Sequence, residues 1–245
     1  MPLLQKNPLT MAGRLQRCWL FTFQCAPEIA SSFLPAPLQP VTYAGYAFWN
    51  VVVTRIESMR PAPLPARVGI SYWHAAYRLY AHFRTATGER IEGLYFIRSE
   101  SDSALIRLAG NLLTDFNLHR APIHCRETGE TVTLTIASAD EPAAIHLRRR
   151  APTWLPVTSP FASLDEANAF LKYEPYGLSV NRAGRVNVVR VLRSEAAWQS
   201  RLCTVIEAYW AFFADKEVRA VLCYEVAPVD YRWQRGQLIS GGRSR

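Results

Sequence analysis

The stretch Ala75–Phe116, AAYRLYAHFRTATGERIEGLYFIRSESDSALIRLAGNLLTDF, decides the fold. Apolar and polar residues alternate over 75–84 and again over 91–98, with Thr87-Gly88-Glu89 between them, which predicts a β-hairpin. The period then changes. Leu105, Leu108, Ala109, Leu112, Leu113 and Phe116 fall at i, i+3, i+4, i+7, i+8 and i+11, the spacing of one helix face. Ser103 or Asp102 supplies its N-cap, because a short oxygen-bearing side chain satisfies an amide that the first turn leaves bare. Two strands followed by a helix do not make the regular alternation of a doubly wound parallel sheet.

The flanks add more strands. Upstream, RCWLFTFQC at 17–25 is short, aromatic and β-rich, and a short helix is predicted from Pro27. Tyr43, Gly45 and Tyr46 mark a bend before a long strand from Phe48 to Ile56. RPAPLPAR at 60–67 reads as a loop, since its prolines cannot donate to a ladder. Downstream, TVTLTIAS at 131–138 alternates strictly, and Ile145 and Leu147 resume the pattern. Ser163-Leu164-Asp165-Glu166 is a capping box opening a helix to about Tyr173. Asn181–Gly184 joins two strands, and Val218–Val226 is another; residues 202–213 satisfy both the helix and the strand template. The resulting fold class is α+β: nine or so strands with a few helices, arranged as one curled antiparallel sheet or β-barrel. Residues 17–235 are expected to form a single domain, with a poorly structured extension over 1–16 and a flexible tail over 236–245. Met11 is a second candidate start.

Of 245 residues, 28 are Lys or Arg and 20 are Asp or Glu, giving a net charge of +8. Hydrophobic residues make up 49% and charged residues 20%, which are globular values and exclude disorder and coiled coil. Ile29–Thr54 carries no charge, but Pro35, Pro37 and Pro40 exclude a membrane helix. No secretory signal is legible, so a cytoplasmic location is expected. The five cysteines are scattered with no C-x-x-C pair, which speaks for free buried thiols.

Most catalytic motifs are missing. There is no glycine-rich phosphate loop, no G-x-S-x-G and no H-E-x-x-H. His124-Cys125 would need an arginine at 131 to clamp a phosphate in the manner of a cysteine phosphatase, and residue 131 is Thr. Of the histidines, His74, His82, His119, His124 and His146, only His119 and His124 stand close, and a metal would need a third ligand brought by the fold; no metal and no cofactor are expected. Arg148-Arg149-Arg150 beside Trp154 reads as the solvated end of a strand, and no nucleic-acid partner is expected.

Several stretches taken in order resemble a bacterial family of uncharacterised proteins, the domain-of-unknown-function family 2071, similar in fold to acetoacetate decarboxylase. They are Ala26–Ala30 through Phe33-Leu34-Pro35, Tyr43–Trp49, Tyr77-Arg78-Leu79-Tyr80, Tyr95-Phe96 through Glu100–Ser103, and Phe170-Leu171 with Tyr176-Gly177-Leu178. The resemblance implies a curled antiparallel β-structure carrying helices. It brings no established activity. Decarboxylases of similar fold use a lysine pair just after the helix, where one amine forms a Schiff base and its cationic neighbour lowers its pKa. The matching stretch here, Leu113–Leu118, has no lysine; the only lysines are Lys6, Lys172 and Lys216. Schiff-base decarboxylation is therefore not expected.

Strand 75–84 places Arg78, Tyr80 and His82 on one face and Tyr77, Leu79 and Phe83 on the other. Glu100 and Arg107 flank the strand-to-helix corner. The expected function is binding of, or action on, a small anionic organic molecule. Arg78, Tyr80, Glu100 and Arg107 would hold it, and Glu100 or His82 would exchange a proton. Whether a reaction occurs is left open. The competing readings are a non-enzymatic protein that associates with itself or others through exposed apolar strands, and nucleic-acid binding through the arginine-rich surface.

Overall fold

The computed structural model describes residues 6–152, 155, 159–171 and 176–241. Aromatic and apolar residues dominate the first strand, β1 (Met11–Cys25), and every residue from Cys18 to Cys25 is buried. A short helix α1 (Pro27–Ser32) and two-residue strands β2 (Gln39–Pro40) and β3 (Thr42–Tyr43) follow. Ala44 and Gly45, both at positive φ, turn β3 into the long β4 (Tyr46–Pro61). The predicted hairpin is β5 (Ile70–Arg84) with β6 (Arg90–Ser101), and α2 (Ala104–Leu113) follows it. Then come β7 (Leu118–Arg120), β8 (Ile123–Thr128), β9 (Thr131–Ile136) and β10 (Ala143–Arg148). Helix α3 (Leu164–Phe170) precedes β11 (Tyr176–Val180) and β12 (Val186–Arg193). The last strands are β13 (Ser200–Trp210), β14 (Val218–Val226), β15 (Val229–Trp233) and β16 (Gln237–Ile239).

The sheet curls until its pairings form a ring. β1 pairs with β4 along its length, with β15 through Met11–Leu15, and with β14 through Cys18–Cys25. The ring runs β1-β4-β5-β6-β11-β12-β15 and back to β1, while β14-β13-β10-β9-β8 leaves β1 as a second leaf. Pairing is antiparallel except where β6 meets β7 and β11.

Alternation along the strands gives the ring two buried faces. Trp19, Trp49, Val51, Tyr77 and Leu79 turn outward and pack on Val132, Leu134, Ile145 and Leu147 of the second leaf. Cys18, Leu20, Val52, Ala76 and Phe96 turn inward with Val226 and Val229. Each large apolar side chain sealed this way contributes about 1.5–3 kcal/mol.

Two expectations are corrected, and the stretch 202–213, which the pattern left open, is decided. The first strand begins at Met11 rather than at residue 17, because Met11–Leu15 find partners on β15, more than 200 positions away and invisible to local pattern. Residues 202–210 are strand and not helix, held between β10 and β14. Helix α2 does not bury the face drawn from its sequence. Leu105, Leu108 and Leu112 are 58%, 65% and 59% exposed. The helix covers the ring with Ala109 and Leu113, one edge of that face, together with Ile106 and Gly110. Gly110 eases that contact: a Cβ there would lie 2.1 Å from Leu118 Cδ1, so any larger residue would have to push the Leu118 side chain aside. The helix also stops at Leu113, where Lys6 Nζ donates to the carbonyls of Asn111, Leu112 and Thr114, each at 3.2 Å. Ser103 is its N-cap, with Oγ accepting from Ile106 N at 3.3 Å. The predicted helix end at Tyr173 lies outside the described residues.

Candidate functional site

The inner face of β5 carries a polar chain inside an apolar ring. Arg78 is 5% exposed. Its Nη2 donates to Asn50 Oδ1 and its Nε to the Asn50 carbonyl at 3.4 Å. The guanidinium lies 5.5 Å from the centroid of Phe96, a cation–π contact that tolerates a cation in apolar surroundings. Asn50 Nδ2 donates to Tyr80 Oη at 3.2 Å, and the Tyr80 hydroxyl donates to the Leu171 carbonyl at 3.3 Å. Asn50 can take this central place because it faces Arg78 across the β4–β5 ladder. One amide thus fixes both a cation and a phenol.

Two residues before Ala76 on the same face stands His74. Burial, and then the Arg78 charge, push its pKa down to about 3, so the ring is neutral at ordinary pH. The Arg78 charge also favours the Cys18 thiolate, but burial outweighs it and lifts that thiol to about 12. His74 and Phe96 line a hollow of about 180 Å³ beneath α2, together with Ile106, Leu113 and Trp233. At the Tyr80 end, Leu171 borders a second opening of about 410 Å³ with Leu20, Arg193, Trp198 and Tyr224. There the Arg193 guanidinium stacks 3.8 Å over Trp198, and the Tyr224 hydroxyl donates to Asn168 at 2.5 Å. A cation, hydrogen-bonding groups and aromatic walls inside one curled sheet suit a small organic anion.

Glu100 does not share this face. It pairs with Ala75, and Arg98 pairs with Tyr77, so both point outward, opposite to Arg78. The sequence placed Glu100 and Arg78 in one cavity because it carried no sign of the register shift between Tyr77 and Arg78. Glu100 is fully buried, and its Oε1 accepts from Arg98 Nε at 3.1 Å. Arg98 also donates to Ser138 Oγ at 3.2 Å and grips Asp140 through two bonds of 3.0 and 2.7 Å. Glu100 Oε2 has no hydrogen-bond partner among the described residues. Burial raises its pKa, while Ser138 and Arg98 oppose the shift. The nearby Tyr77 hydroxyl is raised by burial and then by the Glu100 charge.

The other predicted residues are dispersed. His82 sits four residues beyond Arg78, opposite Gln39 and Glu92, and burial with Arg90 lowers its pKa. Arg107 is exposed on α2. Arg149, the middle of the basic run, turns inward to Glu127 and Glu225, so the run is not a continuous cationic patch. Trp154 and Lys172 lie outside the described residues. Lys6 caps α2, and Lys216 Nζ donates to the Phe212 carbonyl at 2.6 Å, so neither amine faces the inner chain. Among the described residues no three His, Cys, Asp or Glu side chains form a metal cluster, and no helix is long and apolar enough to cross a membrane. Asn50, His74 and Arg98 were not singled out from sequence. A lone amide inside FWNVVVT was the available sign for Asn50.

Residues 13–237 match the family model DUF2071, described as "Uncharacterized conserved protein". No curated protein matches the chain. Among solved structures, the chain is similar to an acetoacetate decarboxylase-like enzyme from Sphingomonas wittichii RW1. That match has 14% identity and a TM-score of 0.61, and covers 96% of this chain and 94% of the other. It is similar to the enduracididine biosynthesis enzyme MppR complexed with pyruvate (14% identity, TM-score 0.56, covering 98% and 93%). It is also similar to acetoacetate decarboxylase from Legionella pneumophila (11% identity, TM-score 0.55, covering 94% and 87%). At these identities the likeness establishes an acetoacetate decarboxylase-like fold.

Proposed function

The chain belongs to the DUF2071 family, and from that premise we propose that the inner hollow of its ring binds a small anionic organic molecule, of the 2-oxo acid or phenol type, without a Schiff-base lysine. The observation that carries this reading is the buried Arg78 guanidinium, aimed by Asn50 and flanked by Tyr80 and His74. A guanidinium keeps its charge at any working pH and forks toward a carboxylate. It cannot form an iminium, so it recognises an oxo-acid without opening the decarboxylation route. Neutral His74 adds a hydrogen bond to a carbonyl or phenol oxygen, while Tyr80, whose hydrogen goes to the Leu171 carbonyl, helps hold Asn50. The pyruvate complex of MppR, a protein of the same fold, is consistent with an oxo-acid as the class to try first. In this reading Glu100, sealed behind Arg98, is a structural charge rather than a proton donor, and His82 and Arg107 stand aside.

Differential scanning fluorimetry against a panel of 2-oxo acids and phenols tests the proposal. At least one compound should raise the melting temperature saturably, and Arg78→Gln should lose that response. A panel with no stabilising compound, or an equal shift in the variant, contradicts it. Borohydride treatment with the same oxo-acids should add no mass; a reduced adduct on Lys6, Lys172 or Lys216 would restore amine chemistry.

A further inference from the structure

A second cluster of cations lies away from the ring's inner face, at the seam where the second leaf leaves β1. Arg17 Nε donates to Glu127 Oε1 at 2.8 Å, and Arg149 Nη2 donates to Glu127 Oε2 at 2.5 Å. Arg149 Nε donates to both oxygens of Glu225, at 2.9 and 3.0 Å. Arg201 Nε and Nη2 reach Glu225 Oε2 at 2.8 and 2.5 Å. Three guanidinium groups therefore share two carboxylates, and the cluster keeps one positive charge.

Two features set it apart from a clasp that only holds strands together. First, the five charges line a cleft of about 540 Å³ whose other polar walls include Gln16, Gln199 and Ser200. Second, Arg149 Nη1, Arg201 Nη1 and Arg17 Nη2 make no hydrogen bond among the described residues. Both carboxylates hold guanidinium groups in place, and each guanidinium retains donors. Excess charge, retained donors and open volume occur together in one place.

We propose that this cleft binds the phosphoryl group of a small organic phosphate. Arg17, Arg149 and Arg201 contact its oxygens, and Gln16, Gln199 and Ser200 face a polar body of sugar size. A phosphoryl group carries nearly two negative charges at neutral pH and three acceptor oxygens. It answers three guanidinium groups arriving from β1, β13 and the bend after β10 better than one planar carboxylate does. The cleft has room beyond the anion itself for an organic body.

Calorimetric titration of the full chain with ribose 5-phosphate, inorganic phosphate and ribose, at constant ionic strength and millimolar ligand, tests the assignment. Ribose 5-phosphate should bind saturably and tighter than inorganic phosphate, and ribose should not bind. Arg201 is 59% exposed, so Arg201→Gln leaves the fold intact. It should weaken ribose 5-phosphate roughly tenfold or more. Glu127→Gln, which adds net positive charge, should tighten it, and Arg78→Gln should leave it unchanged. Absence of saturable binding, equal binding of ribose, or unchanged affinity in Arg201→Gln would each overturn the proposal.

Discussion

Arg78 and Arg98 stand on opposite faces of the same hairpin and are held in different ways. Arg98 grips two carboxylates, and one of them, Glu100, is completely sealed from water. Arg78 is held by two oxygens of Asn50 and lies over Phe96 on the inner face. Two buried arginines of one hairpin thus have different kinds of partner. The outward one is paired with a buried carboxylate, and the inward one is held by a neutral amide and an aromatic ring. Face, set by register, separates their surroundings, and residue type does not.

The largest effect should come from the outward face. Arg98→Ala leaves Glu100 buried without its cation and should cost about 3–5 kcal/mol in urea denaturation, while the response to an oxo-acid survives in the folded fraction. Adding Glu100→Gln should recover part of the loss. A loss under about 1 kcal/mol would erase the distinction between the two faces.

A smaller effect tests the inward face through pH. An unfolded histidine titrates near 6.5, whereas folded His74 titrates near 3. Between those values the unfolded chain binds the extra proton, so stability is complete above about pH 6.5 and falls as pH drops toward 3. His74 borders a hollow open to water, so the expected loss by pH 5 is discounted to about 1–2 kcal/mol. His74→Gln should flatten that part of the stability–pH curve. An unchanged slope would mean that His74 is not held neutral by burial and Arg78.

Helix α2 supplies two milder tests. Ser103→Ala removes the N-cap and should cost about 1 kcal/mol in the same denaturation assay. Leu108→Lys should change stability by less than about 0.5 kcal/mol, although its position in the helical repeat marks it as core. A large loss there would show that the stripe is covered.

These contrasts follow what the sequence could and could not disclose. The β5–β6 hairpin, the Ser103 and Ser163 caps and the alternation of β9 are local patterns, and all were legible. The start of β1 and the turned face of α2 depend on distant partners, β15 in one case and the Ile56, Tyr72 and Tyr231 cluster that receives Ile106 in the other. The site was half legible for the same reason. Arg78 and Tyr80 alternate on one strand and were found together, whereas Glu100 was misplaced by one unforeseen register shift. Arg149 looked like part of a solvated run because its carboxylate partners come from β8 and β14.

Isothermal titration of pyruvate into the wild-type chain and into Arg78→Gln tests the inward face most directly. Saturable heat in the wild type that disappears in Arg78→Gln, with the variant still folded by circular dichroism, is the predicted result. Equal heats in both proteins, or none in either, would contradict it.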